Sequence, residues 1–151
     1  MLAAIDIHKA VFQTAVLNPD DGEIVQKRFR ACREDLVAWI EQHAGGVSVV
    51  AIEATTGWRW VARELQARGI EVRLCDPGQA SALQGNRKRP KTDRLDARWL
   101  VLLLAGELLP HAWMAPADIQ RLRDQTRLRK ALTDDRTRWG QRLHSLLVHE
   151  G

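Results

Sequence analysis

Leu2-Ala3-Ala4-Ile5-Asp6-Ile7 and Val47-Ser48-Val49-Val50-Ala51-Ile52-Glu53 decide how this chain folds. Each is a short apolar run of β type, and each carries one acid, Asp6 between two isoleucines and Glu53 at the tip. A carboxylate in or at the end of a buried strand costs several kcal/mol unless a cation or hydrogen-bond donors compensate it. A third acidic segment, Lys91-Thr92-Asp93-Arg94-Leu95-Asp96-Ala97, reads as the opening of a helix with Thr92 as its N-cap. Asp93 and Asp96 are three apart and share one face of that helix. Two acidic strands and an acidic helix turn suggest one shared compensator, a bound divalent metal.

Working outward, residues 2–7, 11–17 and 23–29 are β-compatible, and Asn18-Pro19-Asp20-Asp21-Gly22 is a turn by its chemistry. Short connections make these three strands antiparallel neighbours. Leu36, Val37 and Ile40 then mark a helix over 34–43, and residues 47–53 form the fourth strand. Trp58, Val61, Ala62 and Leu65 place a helix over 57–68, and residues 70–75 form the fifth strand. A short helix and loop over 78–89 precede the helix at 93–106, and Leu108-Leu109-Pro110 closes a first domain, taken as 1–112. Residues 113–151 are a helical, coiled-coil-like segment. Ile119, Leu122, Leu128, Leu132, Trp139, Leu143 and Leu146 follow a partial heptad, interrupted at Arg129 and Asp135-Arg136. With no change of composition before Gly151, the front part of a longer protein is expected.

The order predicts an α/β fold: a mixed five-stranded sheet flanked by helices, followed by a long C-terminal helix. The succession β-β-β-α-β-α-β-α resembles ribonuclease-H-like domains, including junction resolvases of the RuvC type. In that fold the first and fourth strands are parallel neighbours, so Asp6 and Glu53 would lie side by side. A late helix would bring its acids to the same edge.

At 151 residues, with 45% hydrophobic and 28% charged residues, the chain can build one domain with a real core and an appended helix. No apolar stretch approaches the roughly 20 residues of a membrane span. The N-terminus lacks a basic region and meets Asp6 too soon for a signal peptide. Cys32 and Cys75 are too few and too far apart for a disulfide framework or a zinc site, so a reduced, cytoplasmic setting is expected. The net charge of +4 is uneven: residues 1–85 carry 9 basic and 11 acidic side chains, residues 86–151 carry 14 and 8. Basic charge concentrated in one half suits phosphate contacts, although a solvated face would show the same count.

The number of acids fits two-ion chemistry. Magnesium takes oxygen ligands and keeps some of its waters, so a pair of ions, with Mn2+ able to substitute, can be held by a few carboxylates and a substrate phosphate. Two ions about 4 Å apart can activate an attacking oxygen and stabilise a leaving one. Asp6 is the candidate shared ligand, with Glu53, Asp93 and Asp96 completing the set. Lys9, Arg87, Lys88, Arg89, Lys91 and Arg94 are candidate phosphate contacts, and Trp60 is a candidate base-stacking residue. Trp58, at the start of an amphipathic helix, is assigned to the core. His8 could help position a phosphate or a water. The plainer readings stay open: acids in a first helical turn also favour the helix dipole, and the basic run is also what an exposed loop looks like.

Several pieces resemble the N-terminal DEDD domain of the insertion-sequence-110 family of transposases, described as bridge-RNA-guided recombinases. These are Ala4-Ile5-Asp6-Ile7-His8-Lys9, Ile52-Glu53-Ala54-Thr55-Thr56-Gly57-Trp58, Gly69-Ile70-Glu71-Val72, Asp76-Pro77 and Lys91-Thr92-Asp93-Arg94-Leu95-Asp96-Ala97. The resemblance implies a RuvC-like domain in which Asp6, Glu53, Asp93 and Asp96 hold Mg2+ for DNA strand cleavage and transfer. It also implies a coiled-coil segment that joins copies of the chain, a structured guide RNA paired to DNA, and a further C-terminal domain supplying a serine nucleophile. Two other readings compete: a RuvC-like Holliday-junction resolvase, and a non-catalytic RNA-binding and oligomerisation module. A sugar-kinase or actin-like ATPase would need glycine after the first strand Asp, where this chain has Ile7-His8-Lys9.

Overall fold

The computed structural model describes residues 1–43, 45–84 and 93–151, and the side chains of all of these except 84 and 93–95. The elements in chain order are β1 (Leu2–Ile7), β2 (Val11–Leu17), β3 (Ile24–Arg30), α1 (Arg33–Gln42), β4 (Val49–Glu53), α2 (Trp58–Gln66), β5 (Glu71–Cys75), α3 (Pro77–Gln84), α4 (Asp93–Ala105) and α5 (Ala117–Glu150). They form two compact units, Met1–Trp113 and Met114–Gly151. The first is the α/β, RNase H-like fold read from the sequence, with element ends shifted by one or two residues, as fraying ends commonly are.

Local chemistry fixes the antiparallel half of the sheet. His8 N–H donates to the Val11 carbonyl at 3.1 Å, closing a tight turn between β1 and β2. Between β2 and β3, Gly22 takes φ 74°, which glycine adopts freely, and its N–H donates to Asn18 O at 2.9 Å. The Asn18 amide and the Glu23 N–H both donate to the Asp21 carboxylate, at 2.8 Å each. The chain then crosses over through α1, so that β4 pairs in parallel with β1, and through α2, so that β5 pairs in parallel with β4. The resulting order is β3-β2-β1-β4-β5.

Alternation along the strands divides the core into two layers. One face carries Ala3, Ile5, Phe12 and Ile52 beneath the buried stripes of α1 (Leu36, Trp39, Ile40) and α2 (Val61, Ala62, Leu65). Aromatic contacts tie this layer together: Phe29 lies edge-on to Phe12 at 5.7 Å and stacks on Trp39 at 6.2 Å. On the other face, Ala4, Ala15, Leu17, Ala51 and Cys75 pack against Ala97, Leu100, Val101 and Leu104 of α4 and Ala80 of α3. Three alanines in the middle of the sheet give α4 a flat floor to settle on. Helix and acid-bearing face are thereby held together.

Leu100 is fully buried over this floor, so Leu100→Ala is expected to cost about 2–5 kcal/mol of stability, measured as a lower urea midpoint. Val25→Ala, on a half-exposed position of the outer strand β3, should change it by about 0.5 kcal/mol or less.

Candidate functional site

Leu2, Ala4 and Asp6 alternate onto the α4 side of β1, and the register carries this row across the sheet. Asp6 pairs with Gln13 of β2, and Gln13 with Arg28 of β3. On the other side, Ile5 pairs with Ile52, so the next step along β1 and β4 sets Asp6 beside Glu53, and Glu53 pairs with Cys75 of β5. Arg28, Gln13, Asp6, Glu53 and Cys75 therefore form one row over five strands. Neighbouring strands lie about 4.8 Å apart, so the two acids, 47 positions apart in sequence, stand one strand spacing from each other. The row lies at the carboxyl ends of the parallel strands β1, β4 and β5, the edge where open α/β sheets receive ligands.

Asp6 is 5% exposed, and its Oδ2 lies 2.9 Å from His8 Nε2. Glu53 is partly exposed, and the backbone turns immediately after it, with Thr55 N–H donating to the Glu53 carbonyl at 2.8 Å. Gly57 completes the turn at φ 94°, where a side chain would be strained. A Cβ there would come into ordinary van der Waals contact with Ile7 and the Trp60 indole nitrogen, both at 3.7 Å, so the strain would lie in the backbone. Burial pushes the Cys75 thiol up to about 12, with the negative charges of Glu53 and then Asp76 adding to the effect. A thiol held neutral in this way is no nucleophile.

Asp96 is partly buried and directly precedes Ala97, which packs on this sheet face. Asp93 opens α4, and its side chain lies outside the described residues, as does that of Arg94. Arg87, Lys88, Arg89 and Lys91 also lie outside them. Among the described residues, no three His, Cys, Asp or Glu side chains are grouped closely enough to hold an ion. The structure thus sets Asp6 and Glu53 side by side and puts Asp96 on the helix that covers the same face.

Lys9 is exposed in the β1–β2 turn. The two tryptophans of α2 do not divide into one core and one surface residue as expected, because both are half-buried. Trp60 leans on Phe12 with ring centroids 5.6 Å apart, and Arg59 lies 6.0 Å from the Trp58 ring.

Sequence reasoning missed two members of the row. Gln13 is 6% exposed on the strand paired with Asp6, and Arg28 is exposed one strand further out. The signal for Gln13 was present: a tight turn at 8–11 pairs residues whose numbers sum to 19, which sets 13 opposite 6. As a donor set, the carboxylates are all oxygen and suit a hard divalent cation such as Mg2+ or Mn2+ rather than zinc or copper.

Residues 3–150 match the family model of the insertion-sequence-110-type DEDD transposases, described as a transposase, and the match runs through both compact units. Over 111 residues the chain is 38% identical to a protein of Sinorhizobium fredii named as a transposase, y4rJ, covering 69% of this chain. The chain spans 28% of that protein's length. A solved exopolyphosphatase from Cytophaga hutchinsonii is similar over 54% of this chain and 36% of its own, with 12% identity and a TM-score of 0.34, too distant a likeness to inform function. With the family match running over nearly its whole length, the chain belongs to the insertion-sequence-110 family of DEDD transposases.

Proposed function

We propose that this chain forms the metal-binding part of a transposase's catalytic site, acting on DNA phosphodiesters by Mg2+-dependent strand cleavage and transfer. The observation that carries the reading is the placement of a buried Asp6 and a neighbouring Glu53 at the carboxyl edge of parallel strands. Two carboxylates in that position repel each other and lose hydration, costs that a divalent cation offsets. Asp6 and Glu53 would hold the ions, joined by Asp96 and Asp93 from the first turn of α4. When bound, Mg2+ would supply charge neutralisation at the reacting phosphate and lower the pKa of the attacking group. The protein's part is to fix the carboxylates on rigid strands and to hold the DNA backbone still. Lys9, exposed in the β1–β2 turn, and Arg28, exposed on β3 beside Gln13, would contact phosphates flanking the reacting one.

A guide RNA and a C-terminal domain supplying the nucleophile would complete the machinery, as the resemblance to the bridge-RNA-guided recombinases implies. The long helix supports association between copies of the chain. None of the residues of α5 is buried, and Leu128, Leu132, Trp139, Leu143 and Leu146 are each about 60% exposed. A 34-residue helix with such a stripe gains its stability by packing the stripe against something, and a second copy presents a matching one. Among the described residues, no helix is long and apolar enough to cross a membrane.

Addition of Mg2+ at about ten times its Kd is expected to stabilise the chain by about 1.4 kcal/mol, a rise of roughly 3–6 °C in Tm. Asp6→Asn and Glu53→Gln should abolish that rise while keeping the fold by circular dichroism, and in the full-length transposase should abolish DNA cleavage. An undiminished Mg2+ response in Asp6→Asn would remove Asp6 from the site. Arg28→Ala and Lys9→Ala should each lessen the slope of log K against log salt for duplex DNA by about 0.9, measured by fluorescence anisotropy. Leu132→Glu combined with Leu146→Glu should shift the chain toward monomer in light scattering, with its Mg2+ response unchanged.

A further inference from the structure

We propose that His8 is a positioning residue for Asp6, an outer partner that fixes the direction of the carboxylate on which ion binding depends. The inference rests on the reading of Asp6 as a metal ligand. Its own support is a contact across two residues: His8 Nε2 to Asp6 Oδ2 at 2.9 Å. Residues 6 and 8 share parity, so both side chains leave the same face of the chain. The backbone that carries the imidazole is fixed, because the His8 N–H donates to Val11 O at 3.1 Å and closes the turn.

The contact narrows the directions open to the Asp6 carboxylate. The last torsion of an Asp side chain is broad and nearly two-fold, so a carboxylate without a partner samples many directions. A metal ligand needs one direction, and ligating carboxylates are commonly pinned by a second layer of hydrogen bonds. With Asp6 ionised, as an ion-binding carboxylate must be, its oxygens only accept, so Nε2 carries the hydrogen and donates. The same nitrogen cannot then ligate a metal. In this role His8 acts on the site through Nε2, by orienting a ligand. Its side chain is 38% exposed against 8% for Asp6, so the donor sits on the solvent side of a nearly buried acceptor.

The test compares His8→Ala and His8→Gln with Asp6→Asn in the 151-residue chain, titrating Mn2+ and reading its affinity by electron paramagnetic resonance, with Tm in the absence of metal as a second readout. Gln retains an N–H donor at about the reach of Nε2. His8→Ala should weaken Mn2+ binding about tenfold, the lower end for loss of an outer-shell partner. His8→Gln should restore affinity to within about threefold of the parent. Abolished binding in Asp6→Asn with unchanged affinity in His8→Ala overturns the positioning role alone. Equal losses in His8→Ala and His8→Gln overturn it too, because the imidazole would then be needed for itself. Unchanged binding in Asp6→Asn overturns the metal-ligand reading beneath it. A lower Tm in His8→Ala without a change in affinity marks a purely structural contact, which also sinks the proposal.

Discussion

The parallel pairing of β1 with β4 is the constraint on which the rest depends. Nothing local joins Asp6 to Glu53, because the antiparallel hairpin, α1 and two loops separate them. Only the register that sets Ile5 against Ile52 makes them neighbours. A slip of one residue would send one of the two acids to the opposite face, into the layer of Trp39, Val61 and Leu65. That outcome is prevented by hydrophobic packing rather than by the acids themselves. Ile5 and Ile52 are fully buried beneath α1 and α2, and Ala4 and Ala51 beneath α4, so both faces of both strands specify the same register.

Stability and function are opposed along the row. Like charges on neighbouring strands destabilise a sheet. Here Glu53 has Asp6 on one side and Cys75 with Asp76 beyond it on the other. Burial keeps Cys75 protonated, so it adds no third negative charge. The His8 contact and the half-exposure of Glu53 relieve part of the remaining cost. The α4 floor of alanines has the opposite character, close-packed and purely apolar, and it keeps the acidic edge from spreading. A site of this kind can be strained only where the sheet beneath it is not.

The strands and helices of the first unit were legible from local pattern. Short apolar runs of β type marked β1 and β4, and the helical spacing of Val61, Ala62 and Leu65 marked α2. The juxtaposition of Asp6 with Glu53 was less local knowledge, since strand order is a property of the whole chain and came from the succession of elements. Gln13 was derivable from hairpin arithmetic but looks like an ordinary polar residue on a strand. The His8 contact depends on side-chain direction, which two-residue spacing permits without requiring. The tryptophans show the same limit: helical periodicity separated Trp58 from Trp60, whereas Phe12, brought in by β2, partly buries the latter. What lies against α5 was not legible either, because a stripe of leucines states that a partner is needed without identifying it.

The mixed character of the sheet explains why opposite charges meet in one row. In an all-parallel sheet every strand would bring its carboxyl end to the ligand edge. Here β2 runs the other way and brings Gln13 from near its amino end, and β3 contributes Arg28 from near its carboxyl end. The row therefore runs from a guanidinium through an amide to two carboxylates. A phosphodiester has matching needs, since its non-bridging oxygens want cations and its reacting phosphorus wants ions held by acids. A backbone laid along that row would find Arg28 about two strand spacings, roughly 10 Å, from Asp6, near enough to hold one phosphate while the next is presented to the acids. Reversing β2 would break this ordering even with every side chain retained. Under the proposed reading, the hairpin of β2 and β3 would belong to the site as much as the strand bearing the first aspartate.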